Sequence, residues 1–515
     1  MKIAFRTDSS SSMGSGHVTR CLTLANELRY HGADILFICR EHPGHLIRKL
    51  KECHFSVCIL PKPTHLFLST DDDYAAWRGV TVEQDAQETL AALEDQAYDW
   101  FVIDHYGLGQ SWETQVRKRV KNILVIDDLA NRDHDCDILL DQNYFCGSTE
   151  SRYTGRVPSA CKLLLGPHYA LLQPEYAQLR ALMPERDGQV CRVLVFFGGS
   201  DLSNQTAKVL VALSYPHLTH LAVDVVIGTN HPDFKGIVSM AAGRLRTMIH
   251  QDLPSLAGLM ARADLFIGAG GSTTWERMSL GVPSLVISVA ENQKESTHIL
   301  AVEGYQQLLS REEMASPLEW HNTIVQLLKE PSVVRKISQK AKKIVDGQGA
   351  RRLARLMFGT KGLNIKIRHA CLDDEALILE WANDRDAREQ SFHQNRISEH
   401  EHARWFAEKI NDPDCIFFVA EDQTGLPVGQ VRFDINRIQA EALISISLDR
   451  SLRGFGLSQQ LLSKALEKFR SVELNIKIIA EVRDENWPSQ QLFTTLQFIS
   501  VPSRRINSKA FELAV

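Results

Sequence analysis

The 515-residue chain is short of the features that mark several classes of protein. Its ten cysteines are sparse for this length and include no Cys-x-x-Cys pair, which argues against a disulfide framework or a zinc site and predicts reduced thiols in a cytoplasmic setting. No run of about eighteen apolar residues occurs. The opening Met1-Lys2-Ile3-Ala4-Phe5-Arg6-Thr7-Asp8 lacks an apolar signal core. The expectation is a protein that neither spans a membrane nor leaves by a standard signal peptide. Charge of one sign is scarce as well: 58 basic against 63 acidic residues leave a formal charge of -5, with no long-range pull toward nucleic acid or anionic lipid. No histidine or carboxylate cluster is read as a metal site. What is present is an ordinary globular balance, 44% hydrophobic and 23% charged, with length for several compact units.

Short apolar runs alternate with helical patterns from the start: Ile3-Phe5, Ile35-Cys39, Trp100-Asp104, Ile123-Ile126 and Ile138-Leu140. Buried strands joined by helical crossovers make a parallel sheet. A second series holds Val193-Phe197, Val223-Ile227, Leu265-Ile267 and Ser284-Ile287, after the turn-rich Leu182-Met183-Pro184-Glu185-Arg186-Asp187-Gly188-Gln189. Two Rossmann-like domains follow, spanning 1–180 and 181–358, with a cleft between them. Gly359-Thr360-Lys361-Gly362 reads as a linker into a third unit, 364–515, which opens with the strand Ile365-Arg368.

The first strand runs into Ser9-Ser10-Ser11-Ser12-Met13-Gly14-Ser15-Gly16-His17, after which Val18, Cys21, Leu22, Ala25 and Leu28 fall at helical spacing and Gly32 is a plausible cap. Glycines let a ligand approach the backbone, and the free N–H groups of a helix start favour anions. His17 is placed either as a general base held neutral by the helix dipole or simply as part of a flexible loop and cap. Two more glycine loops follow strands: Gly198-Gly199-Ser200-Asp201 and Gly268-Ala269-Gly270-Gly271-Ser272-Thr273-Thr274-Trp275-Glu276. Each offers backbone donors to a diphosphate, and Glu276, about one turn into its helix, is placed to accept from ribose hydroxyls. Tight strand–helix packing is the other reading of Gly270 and Gly271. Asp127-Asp128, at a strand end, either orients His17 or the sugar, or forms a turn.

The string Arg6-x-Asp8, Gly14-x-Gly16-His17-x-x-Arg20-Cys21-Leu22-x-Leu24-Ala25 resembles the opening of the bacterial UDP-sugar hydrolases of pseudaminic acid biosynthesis. That resemblance implies a GT-B-type fold, like the inverting two-domain glycosyltransferases. The reaction implied is attack of water on a UDP-linked diacetamido-trideoxy sugar, with release of UDP, inversion and no metal. It makes His17 the base and Tyr106, in Asp104-His105-Tyr106-Gly107, a neighbour of the scissile bond. Asp8, Gly14, Gly16, Arg20, Gly199, Ser200, Gly270, Gly271, Ser272, Thr273, Glu276 and Gln293 become substrate contacts. The continuation Ala290-Glu291-Asn292-Gln293 is similar too, and it makes Asn292 a donor to the pyrophosphate or sugar. The segment Gly166 to Tyr176 departs from the family at Gln173 and Tyr176.

In the third unit, Leu443-Leu448 reads as a strand, and Arg453-Gly454-Phe455-Gly456-Leu457-Ser458 opens a helix with Leu461, Leu462 and Leu466 on one face. This resembles the pyrophosphate loop of the GNAT superfamily, in which backbone N–H groups hold the diphosphate of acetyl-CoA. Asn486-Trp487-Pro488-Ser489 resembles the second cofactor segment, so Leu448, Arg453–Ser458, Asn486 and Ser489 are implied cofactor contacts. Phe493 stands where many members carry a tyrosine general acid. Trp381 to Arg388, with Glu401-His402-x-x-Trp405, resembles members that acetylate amino sugars; an amphipathic helical pair with Trp381 and Trp405 in the core is the other reading. Glu441 reads either as an acceptor of the amine proton or as a solvated carboxylate.

The expectation is therefore an α/β chain, two Rossmann-like domains of the GT-B type followed by a GNAT domain, that takes a UDP-sugar and acetyl-CoA. The rivals are a glycosyltransferase, a hydrolysing nucleotide-sugar 2-epimerase, and a nucleotide-sugar-binding scaffold whose acetyltransferase is dead, which Phe493 keeps open.

Overall fold

The computed structural model describes residues 1–515 apart from 12, 64–73, 146–150, 200, 229–230, 252, 310–314, 360–362 and 514–515. It has two compact units, 1–357 and 358–515.

The first unit contains two sheets. Strands β1 (Lys2–Thr7), β2 (Asp34–Arg40), β3 (Ser56–Leu60), β4 (Tyr98–Asp104), β5 (Val120–Ile126), β6 (Ile138–Asp141) and β7 (Lys162–Leu165) lie in the order β3-β2-β1-β4-β5-β6-β7, every pairing parallel. Runs such as Ile123-Leu124-Val125-Ile126 are buried on both faces, as a helix-covered parallel sheet requires. Strands β8 (Arg192–Phe196), β9 (Ala222–Ile227), β10 (Thr247–Gln251), β11 (Leu265–Ala269), β12 (Ser284–Ile287) and β13 (Gln307–Leu308) form a second parallel sheet, β10-β9-β8-β11-β12-β13. In each sheet the winding reverses once, between β1 and β4 and between β8 and β11. Ligands of such sheets bind beyond the strand ends at that reversal.

The chain passes between the sheets twice. Helix Pro174–Leu182 precedes β8, yet Tyr176 packs with Phe266, Trp275 and Met278 of the second sheet. Helix Gly349–Phe358 returns: Ala350, Leu353, Ala354 and Met357 join Ile3, Trp100 and Leu124 in the core of the first sheet. Trp100 Nε1 donates to the Met357 carbonyl at 3.0 Å. Gly349 admits this return, because a Cβ there would sit 2.3 Å from the Ala170 oxygen. The chain thus first passes to the second sheet ahead of Pro174, not within the turn-rich 182–189, and it passes back once more. The return comes from an apolar stripe on Gly349–Phe358 that only the first sheet covers.

The second unit holds one mixed sheet. Strands β14 (Lys366–His369), β15 (Cys415–Glu421), β16 (Pro427–Asn436), β17 (Glu441–Leu448), β18 (Lys477–Arg483), β19 (Ile499–Val501) and β20 (Ser508–Leu513) take the order β14-β15-β16-β17-β18-β20-β19. Neighbours are antiparallel except β17 and β18, which pair in parallel only from Glu441↔Lys477 to Leu443↔Ile479. Beyond that point β17 stays with β16 and β18 with β20, so a wedge opens between them.

Candidate active sites

Beyond β1 the loop passes Gly14, at φ +75°, to the N-cap Ser15 of helix Gly16–Tyr30, and His17 is the second residue of that helix. Its inner stripe, Val18, Cys21, Leu22, Ala25 and Leu28, is buried on the sheet and fixes the rotation that turns His17 inward. β4 adjoins β1 and ends at Asp104. The reversal point therefore joins the two: His17 Nδ1 lies 2.6 Å from Asp104 Oδ1. Burial alone would raise the Asp104 carboxyl, but Arg20 and then His17 outweigh it and hold it well below the usual range. An ionised Asp104 takes a proton donor on Nδ1, which leaves His17 Nε2 to accept.

Tyr106 lies edge-on to His17, the ring centres 4.5 Å apart, and Trp77 stacks on Tyr106 at 5.5 Å. The Tyr106 hydroxyl donates to Asp128 Oδ1 at 2.5 Å, and burial followed by the Asp128 charge keeps it protonated, far above its ordinary pKa. Two expected substrate contacts turn out to be committed inside the protein. Asp8 is buried 2.7 Å from Arg6 Nη1 and accepts from the Arg40 N–H at 2.6 Å. Arg6, itself fully buried, needs Asp8 and Asp85 as counter-ions, so Asp8 does not face a ligand. Arg20 grips Asp104 with Nε and Nη2, both at 2.6 Å, and reaches Asp128 Oδ2 at 3.3 Å. It positions the carboxylate and is not free for substrate.

The orienting role considered for Asp127-Asp128 belongs instead to Asp104, which sequence reasoning noted only as a strand end. Asp127 pairs with Arg132 at 2.8 Å and accepts from the Ala130 N–H at 2.9 Å. The available signal was a carboxylate closing the strand next to the histidine loop.

On the second sheet, Gly199 follows β8 and is exposed; Ser200 lies outside the described residues. Gly270 and Gly271 follow β11, and Ser272 caps helix Thr273–Ser279. Packing is a sufficient reason for Gly270, since a Cβ there would meet Thr297 Oγ1 at 2.2 Å, whereas at Gly271 the nearest atom, Gln293 Nε2, is 3.3 Å away. Glu276 sits a turn into the helix beside the Tyr176 hydroxyl, and burial pushes its carboxyl up to about 7. Tyr176, a departure from the family pattern, is thus tied to the residue expected at the ribose. Asn292 is exposed in the first turn of helix Glu291–Val302, while Gln293 Oε1 accepts from the Val289 N–H at 3.2 Å.

The walls of the cleft meet through Tyr144 and Tyr305, ring centres 5.5 Å apart, and through Arg152, which lies 3.0 Å from Glu295 and donates to the Asp128 carbonyl at 3.1 Å. Among the described residues no group of three or more His, Cys, Asp or Glu is arranged to hold a metal ion. The Asp-x-Asp spacing of Asp133, Asp135 and Asp137 serves Arg156 and Arg117.

In the second unit, Leu448 ends β17 beside the wedge, and Gly454 and Gly456 take φ +83° and +76° before helix Leu457–Arg470. That turn aims the first N–H groups of the helix, at Leu457 and Ser458, out of the chain. The Arg453 side chain departs from the expectation of a cofactor contact. Its Nη1 donates to Asp384 at 2.5 Å and its Nε to the Leu448 carbonyl at 3.2 Å, so it braces the loop. Asn486 caps helix Trp487–Thr495, its Oδ1 accepting from the Ser489 N–H at 3.2 Å. Phe493 is buried against Phe498 and Phe511. Glu441 is paired with Arg504 at 2.8 Å and stands at the far end of β17 from the loop, so it is no acceptor of the amine proton. Trp381 packs with Ile378, Phe406 and Phe417, and Trp405 lies against the same cluster, in line with the core reading.

A family model described as "Acetyltransferase (GNAT) domain" matches residues 364–499. The UDP-2,4-diacetamido-2,4,6-trideoxy-beta-L-altropyranose hydrolase of Campylobacter jejuni is 26% identical over 309 residues, 59% of this chain and 98% of that protein. An uncharacterized protein of Methanocaldococcus jannaschii is 23% identical over 530 residues, covering 100% of both chains. The spore coat polysaccharide biosynthesis protein SpsG of Bacillus subtilis is 23% identical over 309 residues, 59% of this chain and 82% of that protein. Fold and comparisons together define an enzyme in which a region similar to a nucleotide-sugar hydrolase is joined to an acetyltransferase domain. In particular, the N-terminal region is homologous to the altropyranose hydrolase, and the C-terminal region is a GNAT domain.

Proposed function

We propose that the first unit hydrolyses a UDP-linked 2,4-diacetamido-2,4,6-trideoxy sugar and that the second acetylates its UDP-4-amino precursor, two steps of pseudaminic acid biosynthesis in a cytoplasmic protein. Of the expected domains 1–180, 181–358 and 364–515, the first would give up helix Pro174–Leu182 to the second and take back Gly349–Phe358. The observation that carries the hydrolytic reading is the pair His17–Asp104 at the reversal point of the first sheet.

With Nδ1 held by Asp104, His17 Nε2 takes a proton from water as the water oxygen bonds to the anomeric carbon. The bond from that carbon to the diphosphate oxygen breaks, its electron pair leaves with UDP, and attack from the opposite face inverts the centre. General-base assistance of this kind contributes about 10²- to 10⁴-fold. Gly199, Gly270–Thr273 and Asn292 line the diphosphate, and Glu276 in its ionised form accepts from the ribose. Donors of this kind serve without a metal, so EDTA should leave UDP release unchanged. In the second unit acetyl-CoA lies in the wedge between β17 and β18, its diphosphate on the N–H groups of Gly454–Ser458. The amine attacks the thioester carbonyl and coenzyme A leaves as thiol.

The test gives the full chain acetyl-CoA and a UDP-4-amino-trideoxy sugar and follows products by mass spectrometry. Acetylation followed by free UDP and free sugar is the expected result. UDP release that requires a second sugar as acceptor would overturn the hydrolase in favour of a glycosyltransferase.

A further inference from the structure

The proposed chemistry turns a dianionic diphosphate ester into a trianionic leaving group, and Arg20, the expected cation near His17, is consumed by Asp104 and Asp128. Another cation stands in the cleft. Arg152 belongs to the connection between β6 and β7 and lies over the Phe145 ring, 3.5 Å from its centre, with its side chain 17% exposed. Nη2 donates to the carbonyl of Asp128, the residue whose carboxylate holds Tyr106 beside His17. Nη1 lies 3.0 Å from Glu295 Oε2, across the cleft on helix Glu291–Val302. Glu295 is three residues beyond Asn292, so the two share one face of that helix and Arg152 stands about one turn from Asn292. The guanidinium therefore lies between the wall that activates water and the wall expected to carry the diphosphate, where the sugar–phosphate bond has to sit.

The partner on the far side is a poor reason for this placement. The Glu295 side chain is 66% exposed, and an ion pair with so exposed a carboxylate contributes little. The inner side of the guanidinium is instead fixed, by the Asp128 carbonyl and the Phe145 ring, with Nε 4.0 Å from the buried Asp141 carboxyl, which burial pushes well above the usual carboxylate range and so makes a weak counter-charge. A planar fork held this way suits a phosphate.

Resting on the UDP-sugar reading above, we propose that Arg152 is the diphosphate-binding cation of this cleft and that Glu295 occupies its outer edge until the nucleotide displaces it. The bond-breaking step is unchanged: the electron pair of the anomeric bond passes to the diphosphate oxygen, and Arg152 donates hydrogen bonds to that diphosphate without covalent change. Glu295 then turns to solvent.

Calorimetric titration of the full chain with UDP, and with uridine as the phosphate-free control, tests the exchange. Arg152→Gln should weaken UDP at least tenfold and leave uridine within twofold, which also shows that the variant is folded; Arg152→Lys should be intermediate. Glu295→Gln should tighten UDP several-fold by removing the competitor, and that gain should vanish in the Arg152→Gln background. If Arg152 and Glu295 merely clasp the two walls together, both single substitutions weaken UDP and uridine alike, and the proposal fails. It fails equally if Glu295→Gln leaves UDP binding unchanged. Wild-type protein that does not bind UDP removes both this proposal and the UDP-sugar reading. UDP binding with these responses but without hydrolysis removes only the hydrolase.

Discussion

The His17 imidazole and the Asp104 carboxylate, 87 residues apart in the chain, meet at 2.6 Å because β1 and β4 are neighbours at the one point where the first sheet reverses its winding. The contact determines which nitrogen of His17 faces the cleft. Asp104→Asn presents an amide that hydrogen-bonds either tautomer and no longer offsets an imidazolium. UDP release should fall on the order of 10³- to 10⁴-fold, the scale for loss of such an orienting carboxylate, while acetyl transfer by the same preparation is unchanged. His17→Gln should abolish UDP release and likewise spare acetyl transfer. Wild-type hydrolysis in either variant would remove the pair from the mechanism.

The pH dependence of that pair has a definite sign. Despite burial, Arg20 and His17 depress the folded Asp104 pKa. Its contribution to stability is therefore present above the unfolded value of about 3.9 and is lost only as pH falls through the lower folded value. Asp104 should give no inflection in kcat/KM between pH 5 and 8. An inflection in that range in the wild-type profile that is missing from the residual activity of Asp104→Asn would contradict this.

Arg20 supplies the opposing charge. Its removal leaves a buried carboxylate that has lost its fork, a change that costs about 3–5 kcal/mol. Arg20→Met should lower stability by that order in urea unfolding of the full chain, and should lower kcat more than it raises KM, because the arginine does not hold substrate. A rise in KM with kcat preserved would restore Arg20 to the substrate-binding role expected from the sequence.

The parallel sheets were legible because their inner strands are near-continuous apolar runs and the intervening helices carry clear stripes. The edge strands β3, β7, β10 and β13 were not, because half-exposed residues such as Ser56 and Met248, or a length of two to four residues, leave little pattern to read. His17 was visible from its loop. Asp104 was not singled out, since its role depends on the order of strands in the sheet, which local patterning does not encode. The partners of Asp8 and Arg20 were hidden for a related reason: a motif shows that a charge is required, and only packing shows that its partner is Arg6 or Asp104. The return of Gly349–Phe358 to the first sheet is likewise a relation between distant surfaces. The position of Glu276 one turn into its helix needed no such information, because its distance from a glycine loop is local.

Glu276 gives the nucleotide site its own pH signature. Burial raises its folded carboxyl to about 7, above an unfolded value of about 4.3. The folded state therefore loses stability through this group as pH rises from the lower value to the higher, and is level beyond. Binding of ribose to the ionised carboxylate reverses that preference. Uridine, which has no phosphate to titrate near neutrality, should bind more tightly as pH rises through about 7, by up to a factor near ten per pH unit below that point. Glu276→Gln should flatten the dependence. Affinity that is independent of pH in the wild-type protein would take Glu276 away from the ribose.

Phe493 decides whether the missing tyrosine disables the acetyltransferase or only moves its proton transfer elsewhere. The ring is 3% exposed and packed between Phe498 at 5.1 Å and Phe511 at 6.1 Å. A hydroxyl added there has aromatic neighbours and no partner among these contacts, and an unsatisfied buried hydroxyl costs about 1–3 kcal/mol. Phe493→Tyr should therefore destabilise the second unit by that order in denaturation of the full chain, without raising the rate of acetyl transfer. Phe493→Ala should cost about 3–5 kcal/mol through the cavity it leaves. A Phe493→Tyr enzyme that turns over faster and shows a new acid limb would mean that position 493 reaches the leaving thiolate, and that the wild-type domain is an impaired catalyst. Unchanged chemistry with lowered stability would mean that Phe493 belongs to the core and that the thiolate takes its proton from another donor.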